Sequence, residues 1–529
     1  MRFLLINPYY SISETPSPPL GLAYLAAALE QAGVEVKVLD FVVFAYRREA
    51  LESTLTRFAP HMVGITAVTM TFDHAVSVLK DVKSINSDIL TVMGGPHVTF
   101  CARDTMEQFP EVDFIVLGEG EETVTELAME ASDGRKWSRI NGLVYRHGHE
   151  ISVTGHRSSQ VDVDALPLPA RYLLPLGRYR ALGMPISMTT SRGCPFKCIF
   201  CVGRKMVGPK VRYRSPEKIV DELEYLAGLN FHQINIADDL FTAKKRHCLE
   251  VCREIIERKL DIRWSCFARV DTVSRDVLAK MKETGCSAIS FGVESGNPEI
   301  LRTIKKGITI HQVKAAISMC EKEGITPHVS FILGLPGETP GTLKDTVEFA
   351  ERLKGMGASY GFHLLAPFPG TEVRDKSDMF GLRILTHDWT RYHANRAIVE
   401  TSSVNREMLD DIAVGWEREF DEMLGEIKRL RRAGAATEEQ AWLLTRLEHT
   451  VLIYDLMMEE IIEETGFWRP EETVYCGSDA LKALSEKVAS STAHPREQVV
   501  DTLNFAAEQG YLKCIEDRGG LRWKWVDYL

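Results

Sequence analysis

At 529 residues the chain is too long for one compact core, and its length suggests about three domains. With 45% hydrophobic and 26% charged residues it has the make-up of an ordinary globular protein, and a net charge of −11 argues against nucleic acid as a partner. No run of 18 apolar residues is present to span a bilayer, and Met1-Arg-Phe-Leu-Leu-Ile-Asn-Pro8 is too short for a signal-peptide core, so no transmembrane segment and a cytoplasmic location are expected.

Over residues 1–145 short apolar runs alternate with amphipathic stretches, the pattern of an α/β domain with a parallel sheet. Strands are expected at Phe3–Ile6, Val34–Leu39, Met62–Thr66, Leu90–Met93 and Phe114–Leu117, with a helix over Leu20–Ala32 closed by Gly33. The last two strands run into Gly94-Gly-Pro-His97 and Gly118-Glu-Gly-Glu121. Ligands of such sheets bind beyond the carboxyl ends of the strands, and glycines there let the backbone approach closely. Strand plus glycine is a weak signal alone, and a simple tight turn explains it equally well.

Residues 146–184 are polar and then proline-rich, and read as a linker. A second, regular alternation follows over 185–370, with strands at 186–191, 232–238, 262–269, 288–294, 326–333 and 359–366 and helices between them at 216–229, 244–259, 274–284, 309–323 and 340–354. Six strand–helix units fit a partial (β/α)6 barrel, whose chemistry belongs at the C-terminal ends of the strands. The first of those ends carries Cys194, Cys198 and Cys201 in a Cys-x3-Cys-x2-Cys array. Three thiolates can hold three irons of a [4Fe–4S] cube and leave the fourth iron open to a ligand, whereas clusters that only carry electrons usually have four. A zinc site or three buried thiols are the plainer alternatives, but zinc ligands usually come as separated pairs or with histidine. The other cysteines are scattered, which argues for a reducing compartment; Cys248 and Cys252, four apart, could face one way on a helix that otherwise reads as ordinary and amphipathic, and Cys266, Cys286 and Cys320 read as small buried hydrophobes.

Residues 371–529 read as a mainly helical capping domain, with helices near 406–433 and 437–464. Two strands, 511–515 and 521–526, end the chain in a winged-helix-like tail; seven Lys/Arg against eight Asp/Glu over 478–529 leave it without a basic DNA-binding face.

The cysteine array on a strand-one loop of a partial barrel resembles the radical S-adenosylmethionine (SAM) superfamily. The resemblance implies a [4Fe–4S] cluster at Cys194, Cys198 and Cys201 and SAM contacts at Ala237, Asp238 and Asp239 (amino group), Arg269 (carboxylate), Ser290, Gly292 and Glu294 (ribose) and Gly334 (adenine region). Pro18-Pro-Leu-Gly-Leu-Ala-Tyr-Leu-Ala26 and the two glycine turns, placed before such a barrel, resemble the cobalamin-dependent radical SAM enzymes, in which a Rossmann-like domain binds cobalamin. The cobalamin contacts so implied are Thr66, Thr69, Met70, Thr71, Gly94, Gly95, Pro96, His97, Gly118, Glu119 and Gly120. The Asp-x-His-x-x-Gly cobalt-ligating motif is absent, and Asp73-His74 does not supply it.

This resemblance implies an enzyme in which the cluster cleaves SAM to a 5′-deoxyadenosyl radical and cobalamin delivers a methyl group to an unactivated carbon, a methyltransferase of the class B type. Resemblance around Cys194 and Arg212–Glu217 to anaerobic Mg-protoporphyrin monomethyl ester cyclases leaves oxidative cyclisation as the alternative. Either reaction implies a small-molecule substrate and a one-electron reductant such as flavodoxin or ferredoxin.

Overall fold

The computed structural model describes every residue except 10–15, 134–135, 149, 156, 158–159, 470–477 and 518. The first sheet comprises β1 (Arg2–Asn7), β2 (Glu35–Asp40), β3 (Met62–Thr66), β4 (Leu90–Gly94), β5 (Phe114–Val116), β6 (Leu143–His147) and β7 (Glu150–Val153), in the order β2-β1-β3-β4-β5-β6-β7. The first five are parallel and the last two antiparallel. Phe3, Leu4, Leu5 and Ile6 are buried in succession, as in a strand covered on both faces by helices. The strand order reverses between β1 and β3, so the crevice beyond their carboxyl ends is where a ligand fits.

The second unit contains β8 (Ile186–Met188), β9 (Ser191–Arg192), β10 (Arg212–Tyr213), β11 (Ile234–Ile236), β12 (Trp264–Ala268), β13 (Cys286–Glu294), β14 (Thr326–Leu333) and β15 (Ser359–Leu364). Six of them form a parallel sheet ordered β15-β14-β13-β12-β11-β8, while β9 and β10 pair separately. The sheet stays open, because β8 and β15 do not meet. Its helix-facing residues, among them Ile236, Cys266, Phe291 and Phe331, are buried, together with Cys248, Cys252, Cys286 and Cys320. The alternate residues face the lumen and are polar or uncovered: Ser265, Ser290, His328 and Ser330 are half-buried, and Phe267 is 50% exposed.

In place of a featureless linker, residues 146–184 complete the first sheet through β7 and then tie the parts together. Tyr179 donates a hydrogen bond to buried Asp40 (2.7 Å), and Arg178 donates to Val43 O (3.0 Å), Glu463 (2.8 Å) and Asp527 (2.6 Å). Arg171 donates to Ser187 O and to Glu222 (both 2.7 Å), and Glu222 also accepts from Arg214. The proline content that reads as linker serves a buried strap, in which Pro175 precedes the short helix Leu176–Ala181.

The helices Arg406–Arg432 and Glu438–Met458 follow. The first closes part of the open barrel: a Cβ on Gly361 would meet Trp416 and His328 at 3.8–3.9 Å. The tail consists of the helices Ser478–Ser491 and Arg496–Glu508, then the strands Leu512–Asp517 and Gly520–Trp525, which are joined in one antiparallel sheet by Phe467–Trp468. Among the described residues, no helix is long and apolar enough to cross a membrane.

Candidate active site

The cysteine loop lies between β9 and the short helix Gly203–Val207. Cys194 and Cys198 are half-buried and Cys201 is exposed on the barrel mouth; all three are free thiols. Burial raises all three pKa values, Cys201 to about 11, and Cys194 and Cys201 each feel a neighbouring thiol's charge. Gly203 N–H donates to Cys201 Sγ (3.3 Å), and Arg269 stacks 3.6 Å from the centroid of Phe196, inside the loop. No three His, Cys, Asp or Glu side chains among the described residues converge on a single ion. A cube makes no such demand, since each thiolate takes a different iron, and backbone N–H donors to sulfur are part of such sites.

Of the residues expected around SAM, Asp239, Arg269 and Glu294 act on these thiols, and the set divides into two kinds of role. Asp239 and Ala237 face the mouth, with Asp239 near Gly193 N (3.4 Å) and close enough to act on Cys194. Asp238 points the other way. It is 3% exposed, and its oxygens accept from Thr190 N (2.6 Å), Thr190 Oγ1 and Ser191 Oγ (2.7 Å), so it anchors the run into the cysteines. The alternation of β11 continues past its end at Ile236, so the adjacent aspartates turn to opposite sides. Arg269 has its fork filled by Asp271 (2.9 and 3.0 Å) and also donates to Lys306 O (2.8 Å). Ser290 is in the lumen, and the carboxylate of Glu294 folds back over Gly292, paired with Lys306 at 2.7 Å. Glu294 adopts φ +72°, a strained conformation for a side chain of its size and the kind found at functional sites. Gly334 (φ +89°) turns at the end of β14, its N–H donating to Glu338 (2.6 Å).

A cavity of about 450 Å³ opens at the switch point of the first sheet. Thr66, Gly94, Gly95, Pro96, Gly118, Glu119 and Gly120 line it, over an apolar slot formed by Phe3, Leu5, Val92 and Leu25. Gly95 is required there: its φ is +105°, and a Cβ would sit 2.6 Å from Ala67 O. The other four expected contacts lie outside the lining. Thr69, Met70 and Thr71 form a 3₁₀ turn. His97 is buried, stacked on Phe72 (4.1 Å) and edge-on to Trp389 (4.9 Å), and its pKa is pushed down to about 4, first by burial and then by Arg374. A glycine turn ending in histidine does not reveal that the helix Pro96–Gln108 starts there and carries the ring inward.

Two family models match the chain: the B12 binding domain over residues 12–128 and the Radical SAM superfamily over 188–350. A protein of Pyrococcus horikoshii named as an uncharacterized methyltransferase is 37% identical over 74% of this chain and 86% of its own length. The chain belongs to the cobalamin-binding radical SAM family. Within that family, the anaerobic magnesium-protoporphyrin IX monomethyl ester cyclase of Rubrivivax gelatinosus is 30% identical over 79% of this chain and 77% of the cyclase. In fold, the chain is similar to the radical SAM methyltransferase TsrM of Kitasatospora setae, solved with cobalamin and a [4Fe–4S] cluster bound, with TM-score 0.63 and 19% identity over 96% of this chain and all of that one.

Cobalamin-binding radical SAM proteins use a cluster, SAM and cobalamin, and this chain's donors fit them. The three thiols suit a cube with one open iron, and the glycine-floored cavity with its apolar slot suits a large, partly apolar cofactor. Several residues that build the site carry no sequence signal of their own. Lys306 sits beside Lys305 in an ordinary-looking loop, yet its charge acts on Cys198. Arg192, Met206 and Val207 flank the cysteines but line the cavity of the other domain.

Glu338 gives this site a pH signature. It is 1% exposed, accepts from Gly334 N and Leu335 N, and its pKa is pushed up to about 8 by burial. Its folded-state pKa exceeds the unfolded value, so its contribution is full below about pH 4.5 and is lost as pH rises toward 8. The stability of the wild type should fall between pH 6 and 9 by more than that of Glu338→Gln, by about 3 kcal/mol at most. Equal pH profiles would show that Glu338 does not titrate in this range.

Proposed function

We propose that the protein transfers a methyl group from SAM, by way of cobalamin, to an unactivated carbon of a small-molecule substrate. The observation that carries this reading is a shared wall. Thr189 and Arg192, before the cysteines, and Met206 and Val207, after them, line the same cavity as Gly94–Pro96 and Gly118–Gly120. Radical chemistry and a methyl carrier are thereby kept within one enclosure. The cofactors supply the radical and the methyl group when bound, while the chain orients them and excludes water.

In this reading Ala237, Asp239, Ser290, Gly292 and Gly334 contact SAM. Asp238 fixes the loop entrance, and Arg269 holds Phe196 and the loop from below. Lys306 balances Glu294 beside the thiols, so the rim carries paired charge. Phe267, His328 and Ser330 offer the substrate an apolar face and hydrogen-bonding groups in the lumen. A one-electron donor such as flavodoxin or ferredoxin serves the cluster, and a reducing cytoplasm suits the free thiols.

Oxidative cyclisation without methyl transfer is the second reading, favoured by the 30% identity to the Rubrivivax cyclase. Anaerobic incubation with methyl-labelled SAM, reductant, cobalamin and candidate substrates separates the two. A labelled product is the expected result. Release of 5′-deoxyadenosine with an unlabelled, converted substrate would replace methylation with the second reading.

A further inference from the structure

The two cofactor sites meet at a buried ion network that neither site explains. Glu119, at the end of β5, accepts both ends of the Arg212 guanidinium, Nη1 at Oε2 (2.9 Å) and Nη2 at Oε1 (3.0 Å). Arg192 Nη1 approaches the same Oε1 (3.2 Å) and Glu121 Oε1 (2.8 Å). The four side chains are at most 16% exposed, so each charge depends on its partners.

Both arginines belong to the frame of the cysteine loop. Arg192 precedes Cys194 by two residues on β9, and β9 pairs with β10, which carries Arg212. Arg212 also donates to Val207 O (2.9 Å), beyond the last cysteine, and Cys194 N–H donates to Gly208 O (3.1 Å). The frame is tight: a Cβ on Gly193 would lie 2.3 Å from Lys210 O. Glu119, Arg192 and Val207 line the cavity of the first domain, whereas Arg212 is not part of the lining.

We infer that this network couples the two sites, with Glu119 and Arg212 as positioning residues, so that a loop fixed by its cluster strengthens cobalamin binding and bound cobalamin strengthens the hold on the cluster. Tying three thiols to one cube removes the freedom of residues 194–201 and so pins Arg192 and Val207 as cavity wall. A wall fixed in advance lowers the ordering cost of the second ligand. The effect is reciprocal by linkage, and couplings of this kind run from about 5-fold to 150-fold. The inference rests on the assignment of both cofactors to these sites.

The test is titration of hydroxocobalamin, followed by absorbance, into cluster-reconstituted wild type and into a cluster-free C194A/C198A/C201A variant. The cluster-loaded form should bind at least about 5-fold more tightly. Arg212→Lys keeps the charge, loses the two-pronged fork and leaves the cavity lining intact, so it should shrink that ratio to within about 2-fold. Glu119→Gln should do the same, with an added loss of affinity in both forms because it lines the cavity. Equal affinities in the two wild-type forms would overturn the coupling alone. A ratio unchanged by Arg212→Lys would overturn the network as its carrier. Absence of cobalamin binding in both forms would overturn the cofactor assignment as well.

Discussion

Cys198→Ala should release no 5′-deoxyadenosine above background while keeping the fold. The residue sits half-buried on a loop and not in a packed core, so losing its sulfur opens no sizeable cavity. Its chemistry is a different matter. Cys198 lies amid the charges of Lys306, Arg269 and Glu294, between two other thiols of the same loop. Two thiolates hold a cube poorly, and without the cube SAM receives no electron. Reconstituted wild type should carry about four irons per chain, and the variant well under half as many, with an unchanged melting profile in the cluster-free state. Full iron content in the variant would remove Cys198 from the cluster, and about eight irons in the wild type would reveal a second cluster.

The largest loss of stability should come from Glu222→Ala, far from any cofactor. Glu222 is fully buried and accepts from both Arg171, 1% exposed, and Arg214, 7% exposed. Those arginines donate in turn to Ser187 O and Thr189 O, the strand that leads into the cysteines. Arg171 already has Nε and Nη1 buried without a partner. Removing the carboxylate strands two buried cations, at a cost of about 3–5 kcal/mol. The melting temperature should drop by roughly 10 °C, and iron loading should fall with it. Glu222→Gln, which keeps a hydrogen-bond acceptor but no charge, should fall between. A melting temperature within about 2 °C of wild type for the alanine variant would mean that the pair is solvated and contributes little.

The legible parts of the chain were those in which local pattern and global position agree. The strand 326–333 and the helix 340–354 are seen over the residues that their periodicity predicts, because alternation in one and glycine or proline punctuation in the other mark their ends. The cysteine loop was legible because spacing alone restricts what three thiols can bind. Asp238 and Asp239 share one motif, yet just past the end of β11 one anchors the loop while the other looks into the mouth. His97 adjoins its glycines in sequence, and the helix start at Pro96 separates them in space. Arg171, Arg178 and Tyr179 had no chance of being read. Their partners Glu222, Glu463, Asp527 and Asp40 lie 51, 285, 349 and 139 residues away, and a polar, proline-rich composition looks the same in a loose tether and in a buried strap.

That strap also bears on the order in which the molecule can be built. Gly177 leaves room for residues 526–527: a Cβ there would lie 1.8 Å from Val526 O, and Gly177 N–H donates to Asp527 O (2.9 Å). During translation, residues 171–184 emerge some 340 residues before these partners exist. Both sheets, and the strap's bonds to Asp40, Val43, Ser187 and Glu222, can therefore form first, while the clasp at Gly177 waits for residues 526–527 to be made. A block placed on that clasp, such as Gly177→Val, would act on the finishing of the molecule and not on its chemistry, leaving residues 171–184 open to protease even after residues 526–527 have been made.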